Sequence, residues 1–163
     1  MRTGQGAHQR TISGDKVVIA AGSRPVVPPE AISASGVRYH TNEDIMRLPP
    51  RLPKSLVIIG GGYIAMEFAH VFDALGTDVT IIARSTLLRN LDEDLHGPFN
   101  DLAVERFDIR TGRTTIGADQ TDQGITVRLD DGSSATGEVL LVATGRIPPN
   151  GDLLDLPPAG SRR

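Results

Sequence analysis

The sequence predicts an α/β fold: a parallel sheet packed against helices, with an antiparallel β-meander as a further layer. Three observations carry this. Residues 55–84 read SLVIIGGGYIAMEFAHVFDALGTDVTIIAR: an apolar run too short for a helix, three glycines, a helical stripe and a second apolar run. Residues 138–143 (EVLLVA) are another run of strand length, nearly all apolar, as in a strand buried on both faces. Residues 114–118 and 125–129 are short β-prone runs, and the second leads into Asp130-Asp131-Gly132-Ser133, a hairpin signal. Strand, glycine turn, helix and strand in about thirty residues form the unit of a Rossmann-like three-layer dinucleotide-binding domain.

Along the chain, residues 11–13, Gly14-Asp15 and residues 16–20 read as a short hairpin whose second arm, KVVIA, should be buried. Pro25, Pro28 and Pro29 then forbid a helix or a central strand, so an extended connection between two domains is expected. Residues 41–48 suit a short helix, with Thr41 as cap and Asp44 at the capping-box position, ended by Pro49, Pro50 and Pro53. After the strand at 55–59, Ile64, Phe68, Val71, Phe72 and Leu75 share one helix face, and Gly76 stops that helix. Residues 78–83 form the second parallel strand.

Asp92, Glu93 and Asp94 suit the first turn of another helix, where the dipole favours carboxylates. Leu95, Phe99, Leu102 and Ala103 continue its stripe, interrupted early by Gly97-Pro98. Residues 107–110 read as a third parallel strand, and the tail from Pro148 has no strong pattern. KVVIAAGSRP and EVLLVATGRIP echo each other: a buried strand, a glycine turn, a basic residue and a proline. Such a turn brings backbone close to a ligand or a neighbouring domain.

Gly60, Gly62 and Ala65 fit G-x-G-x-x-A. Gly60 permits the tight turn, Gly62 leaves room for a pyrophosphate, and Ala65 lets helix and strand pack closely. The helix N-terminus then offers N–H groups to the phosphates. The end of the second strand chooses between cofactors, because NAD sites usually place Asp or Glu there to bind the ribose 2′-OH. Here Ala83 is followed by Arg84, Ser85, Thr86 and Arg89, with no carboxylate. Two guanidiniums at this place suit a 2′-phosphate, so NADPH is expected rather than NADH.

Composition bounds the function. The 163 residues are 39% hydrophobic and 23% charged with a net charge of −3, which gives no basic footprint for nucleic acid. No run approaches membrane-spanning length and no signal peptide is visible, so a cytoplasmic protein is expected. There is no cysteine, hence no disulfide, thiolate metal site or redox thiol in the chain. His8, His40, His70 and His96 show no metal-ligand spacing. A dehydrogenase with its own Tyr-x-x-x-Lys site is disfavoured, since the only tyrosines are Tyr39 and Tyr63.

The order A-A-G-S-R-P, G-G-G-Y-I-A-M-E, V-T-I-I-A-R and A-T-G-R-I-P-x-N resembles the middle of the flavoprotein disulfide reductases of the pyridine nucleotide-disulfide oxidoreductase family. The likeness runs from about Thr11 to Leu154, with wording nearest the mycothione reductase branch. It implies that Gly60, Gly62 and Ala65 line the NADPH pyrophosphate and that Tyr63 is a gate over the flavin. It places Ile64 beside the dinucleotide and Glu67 near the nicotinamide carboxamide. Arg84 and Arg89 would hold the 2′-phosphate, although their spacing is one residue short of the family pattern. Gly145 and Arg146 would close over the cofactor, and Ala21 and Gly22 would touch FAD. Tyr63 packing at a helix start and Glu67 as a solvated carboxylate remain open alternatives.

The resemblance also implies parts this chain lacks: a flavin domain with its redox cysteine pair, and a C-terminal dimerisation domain with an acid/base histidine. The doubled prolines Pro49-Pro50 and Pro148-Pro149 depart from the pattern. The expectation is the end of an FAD-domain segment at 1–24, an NADPH-binding domain at 25–147, and a return segment at 148–163. The parent would be a homodimer reducing a low-molecular-weight disulfide. This part would hold no catalytic residue. The alternatives are a non-catalytic dinucleotide-binding module or fragment, and a lipoamide dehydrogenase-like NAD enzyme.

Overall fold

The computed structural model describes residues 2–3, 10–16, 18, 20, 22–27, 31–47 and 51–148. The chain divides into two units, Met1–Ser23 with Pro148–Arg163, and Arg24–Ile147. In the first, β1 (Arg2–Thr3) and β2 (Arg10–Thr11) pair antiparallel. The described residues of the hairpin expected at 11–20 do not form it: Thr11 pairs with Arg2, Val18 is 88% exposed, and neither Val18 nor Ala20 lies in a strand. An apolar run becomes a strand only when neighbours take its N–H and C=O groups, and no described strand pairs with this one. Val17, Ile19 and the tail after Pro148 lie outside the described residues.

The second unit is built on four parallel strands. After β3 (Arg24–Pro25) come β4 (Ser55–Ile59), α1 (Tyr63–Ala74), β5 (Asp78–Ala83), α2 (Glu93–Arg106) and β6 (Asp108–Thr111). An antiparallel meander follows, of β7 (Thr115–Thr121), β8 (Gly124–Leu129) and β9 (Ser134–Gly137), and then β10 (Val139–Val142) and β11 (Arg146–Ile147). The parallel sheet has the order β10-β4-β5-β6. Side chains alternate across it. Leu56, Ile58, Val79, Ile81 and Leu141 pack with the helices, whereas Val57, Ile59, Ile82, Leu140 and Val142 pack with Ala118, Val127 and Leu129 of the meander. Both faces are dry, which is why these strands are apolar throughout.

The buried face of α1 differs from the expected stripe. Ala65, Met66, Ala69 and Phe72 are buried, while Val71 and Leu75 are 43% and 56% exposed. The small residues face the sheet because they let the helix backbone approach it. In α2, Phe99 and Ala103 face the core, whereas Leu95 and Leu102 are 59% and 67% exposed. The helix still starts as the acidic triplet indicates: Asp92 caps it by accepting from the Asp94 N–H at 3.1 Å, and Pro98 sits inside. Residues 42–47 make a turn and one 3₁₀ turn instead of an α-helix, but half of the capping box forms, with the Thr41 N–H donating to Asp44 Oδ1 at 2.7 Å, while the Asp44 N–H donates to the Thr41 carbonyl.

The two echoed segments meet. β3 and β11 pair antiparallel, Arg24 opposite Ile147 and Pro25 opposite Arg146. The Val26 N–H donates to the Gly145 carbonyl at 2.9 Å, and Thr144 Oγ1 donates to the Val26 carbonyl at 2.6 Å. Pro28 and Pro29 lie outside the described residues.

Candidate functional site

The carboxyl ends of β10, β4 and β5 converge on the glycine turn. The Gly60 N–H donates to the Ile82 carbonyl at 2.9 Å, and the Ala143 N–H donates to the Ile59 carbonyl at 2.8 Å. Gly60 has φ +134°, and a Cβ there would collide with the Ala143 carbonyl, its carbon only 2.7 Å away. At Gly61 an added Cβ would lie 2.9 Å from Ala83 Cβ. Gly62 is different. It is the N-cap of α1, has an ordinary φ of −89°, and has nothing within 4 Å of an added Cβ. Open space therefore stands in front of its backbone. No side chain caps the first N–H groups of α1, so they are free for an anion.

These elements frame a cleft of about 490 Å³. Gly60, Gly61, Gly62 and Tyr63 form one wall; Ala83, Arg84, Ser85, Thr86, Leu88, Arg89 and Asn90 form the lip after β5. Arg113, Thr114 and Thr115 line the region after β6, and Ala143, Thr144 and Gly145 the region after β10. The lining holds three arginines and no carboxylate, in a chain of net charge −3. Among the described residues, the Arg84 and Arg89 guanidiniums have no hydrogen-bond or ion-pair partner.

The cleft brings together Gly60, Gly62, Tyr63, Arg84, Arg89 and Gly145. Tyr63 is 56% exposed at the first turn of α1. Ala65 is fully buried against the sheet, Ile64 is half-buried, and Glu67 is exposed; none of the three lines the cleft. Arg146 does not line it either: its Nη1 donates to Asn42 Oδ1 at 2.9 Å and its Nη2 lies 3.4 Å from Glu43 Oε1. Gly22, in the other unit, is exposed with φ +74°, and Ala21 lies outside the described residues.

Sequence reasoning missed Arg113. Its backbone N–H donates to the Ala83 carbonyl at 3.2 Å, which brings it beside Arg84 despite the intervening helix and strand. Its Nε pairs with Asp131 Oδ2 at 2.9 Å. Asp131 accepts from Ser133 Oγ at 2.7 Å and from the Ser133 N–H at 3.0 Å. These bonds, with the Arg113 charge, hold its carboxyl below the usual carboxylate range. No periodicity marks such a residue; the faint signal was a basic residue just past a strand end. Among the described residues no cluster of three or more His, Cys, Asp or Glu could hold a metal, and no helix is long and apolar enough to cross a membrane.

A parallel sheet, a glycine turn at a helix N-terminus and a cationic lip after the next strand define the chain as Rossmann-like, with its cleft at the strand carboxyl ends. The model of the pyridine nucleotide-disulphide oxidoreductases matches residues 2–156, and the chain belongs to that family. It is 50% identical over 149 residues to the mycothione reductase of Mycobacterium tuberculosis, covering 91% of this chain and 32% of that protein. Among solved structures, the HOCl-induced flavoprotein disulfide reductase RclA of Escherichia coli matches with a TM-score of 0.74 and 26% identity, over 91% of this chain and 34% of that one. An engineered water-forming NADPH oxidase bound to NADPH matches with a TM-score of 0.71 and 28% identity, over 90% and 34%. Its parent, a Lactobacillus brevis oxidase bound to NADH, matches with a TM-score of 0.71 and 26% identity over the same shares. The chain thus spans about a third of the length of the proteins it matches.

Proposed function

We propose that this chain is the NADPH-binding part of an FAD-dependent disulfide reductase whose substrate is mycothione, the disulfide of mycothiol. The observation that carries the reading is the carboxylate-free cleft with three arginines beside an open glycine turn. The pyrophosphate fits at Gly62 and the α1 N-terminus, where nothing obstructs approach. The unpartnered Arg84 and Arg89 supply charge-assisted donors for a 2′-phosphate. Tyr63 stands exposed beside the glycine turn, where a side chain can swing.

The engineered oxidase supports the choice of NADPH. It differs from its NADH-binding parent by Gly to Ala, then, eighteen residues on, consecutive Asp to Ala, Ala to Arg and Met to Ser, then Pro to Arg five residues further. This chain has Ala65, and eighteen residues later Ala83-Arg84-Ser85; the last position falls on Asn90, next to Arg89. When bound, NADPH supplies a hydride equivalent, which the complete enzyme would pass through FAD to a redox disulfide and so to the substrate. The role of this chain is to bind and orient. It has no cysteine, so the thiol chemistry would belong to other parts of the parent, which we read as a homodimer. A cytoplasmic enzyme is the reading that goes with it.

Calorimetric titration with NADPH and then NADH tests this. Tight NADPH binding, much weaker NADH binding and loss of the difference in Arg84→Ala are expected, by about tenfold or more for one charge-assisted contact. Equal binding, or a preference for NADH, would refute the arginine assignment and point towards a lipoamide dehydrogenase-like enzyme.

A further inference from the structure

We propose that Arg146, held by Asn42 and Glu43, is a positioning residue for the cleft wall along which the nicotinamide half of the dinucleotide lies. The inference rests on the dinucleotide reading above and concerns a residue outside the cleft. In the parallel sheet β10 and β5 flank β4 on opposite sides. On that reading the pyrophosphate lies at the end of β4 and the 2′-phosphate on the β5 side, at Arg84 and Arg89. The other half of the ligand then extends to the β10 side, where Thr144 and Gly145 line the cleft. Gly145 has φ +134° and nothing within 4 Å of an added Cβ, so its backbone is open to approach. Left to itself, a glycine is the most mobile point of such a wall.

Two sets of bonds hold this wall. On one side Val26 donates its N–H to the Gly145 carbonyl at 2.9 Å and accepts from Thr144 Oγ1 at 2.6 Å. On the other side Arg146 reaches the turn at 41–44, with Nη1 donating to Asn42 Oδ1 at 2.9 Å and Nη2 3.4 Å from Glu43 Oε1. That turn is fixed to the same strand. The His40 N–H donates to the Leu140 carbonyl, and the Val142 N–H donates to the His40 carbonyl, both at 2.8 Å. The path from β10 through His40, the turn, Arg146 and Gly145 therefore closes on β10 again, across 104 residues of sequence between Asn42 and Arg146. The ion pair itself adds little stability, because Glu43 is 57% exposed. What it supplies is direction. A planar guanidinium bound at two points fixes the backbone that carries it, and the next backbone unit is Gly145. The same two bonds keep Arg146 engaged outside the cleft, unlike Arg84 and Arg89, which line it.

The test is calorimetry on the 163-residue chain and its variants with NADPH, NADH and adenosine 2′,5′-bisphosphate. The last probe carries the adenine end and the 2′-phosphate but no nicotinamide. Arg146→Ala should weaken NADPH and NADH by the same factor, roughly tenfold for one lost charge-assisted contact, and leave the bisphosphate unchanged. The unchanged bisphosphate also shows that the variant is folded. Asn42→Ala combined with Glu43→Ala should reproduce this pattern. Adding Arg146→Ala to that pair should have no further effect, because all three changes open one clamp. Glu43→Gln, which keeps an acceptor for Nη2, should retain the affinity. Weakening by Arg146→Ala with full affinity in the Asn42 and Glu43 double variant would make Arg146 a direct ligand contact and overturn the proposal. So would full NADPH affinity in Arg146→Ala, or equal weakening of all three probes, the mark of a general structural loss. If the unmodified chain binds none of the three, the dinucleotide reading itself fails and the proposal with it; binding by the unmodified chain isolates the Arg146 question.

Discussion

The Leu88 N–H donates to the Gly61 carbonyl oxygen at 2.7 Å, tying the loop after β5 to the glycine turn after β4. That loop carries Arg84 and Arg89, so one backbone bond links the proposed phosphate readers to the proposed pyrophosphate cradle. Leu88 makes it from φ +45°, the only positive φ at a non-glycine among the described residues. Its side chain is 7% exposed. From the α2 side, Asn100 brackets the neighbouring Leu87, accepting from its N–H at 3.3 Å and donating to its carbonyl at 3.5 Å.

Leu88→Gly separates backbone strain from burial. The change relieves about 1–2 kcal/mol of left-handed strain. It also removes an apolar contact worth about 1.5–3 kcal/mol. Net destabilisation of roughly 1 kcal/mol is expected, with the N–H bond to Gly61 kept and the NADPH preference unchanged. Thermal unfolding and the two titrations check both halves. Loss of the preference would mean that the side chain, not the backbone bond, sets the loop.

Gly60 and Gly62 should respond oppositely to the same methyl group. Gly60→Ala drives a Cβ into the Ala143 carbonyl at a positive φ, so about 3 kcal/mol or more of stability should be lost. Gly62→Ala meets nothing within 4 Å at an ordinary φ, so its unfolding temperature should stay near that of the unmodified chain. Its nucleotide affinity should nevertheless fall at least about tenfold, because the new methyl occupies the space left for the pyrophosphate. Unchanged affinity in Gly62→Ala would place the anion elsewhere.

These glycines show how far the sequence could be read. The β4–α1–β5 unit was legible because local periodicity and the glycine turn agree, and both strand boundaries match the expected ones. The phase of α1 was not, because buried alanines carry little hydrophobic signal beside Val71 and Leu75, which the fold leaves exposed. At 16–20 the described residues Lys16, Val18 and Ala20 lie in no strand, and no described strand pairs with them, which no local pattern reports. Arg113 reaches the cleft only through a backbone bond between segments 30 residues apart in sequence, Ala83 and Arg113, which composition cannot signal. The echo between KVVIAAGSRP and EVLLVATGRIP was visible, but that its two ends pair with each other was not.

Thr115→Val should stabilise the chain. The Oγ1 is buried without a partner among the described residues, a state that costs about 1–3 kcal/mol. Valine keeps the shape and removes the unsatisfied group. A rise in the unfolding temperature is expected from calorimetric melting. A fall in stability would show that the hydroxyl is already satisfied.

The turn at 41–44 should carry a pH-dependent part of the stability. Burial pushes the Asp44 carboxyl up, but hydrogen bonds from the Thr41 N–H and from His40, with the charge of His40, outweigh it and leave it below 3.8. The folded pKa is therefore lower than the unfolded one. Its contribution is fully present above the unfolded value and is lost as pH falls through the folded value. Asp44→Ala should cost about 1 kcal/mol at neutral pH through loss of the capping contact. The charge-dependent share of that is small, because the carboxylate is 48% exposed and solvent screens it. Urea unfolding of both proteins from pH 7 to pH 3 should show the gap narrowing only in the acid range, below about pH 4. A gap that stays constant to pH 3 would assign the effect to Asp44 packing and not to its charge. Because Asn42 and Glu43 on the same turn hold Arg146, the variant should also loosen the Arg146 contacts at 2.9 and 3.4 Å, without touching the cleft arginines.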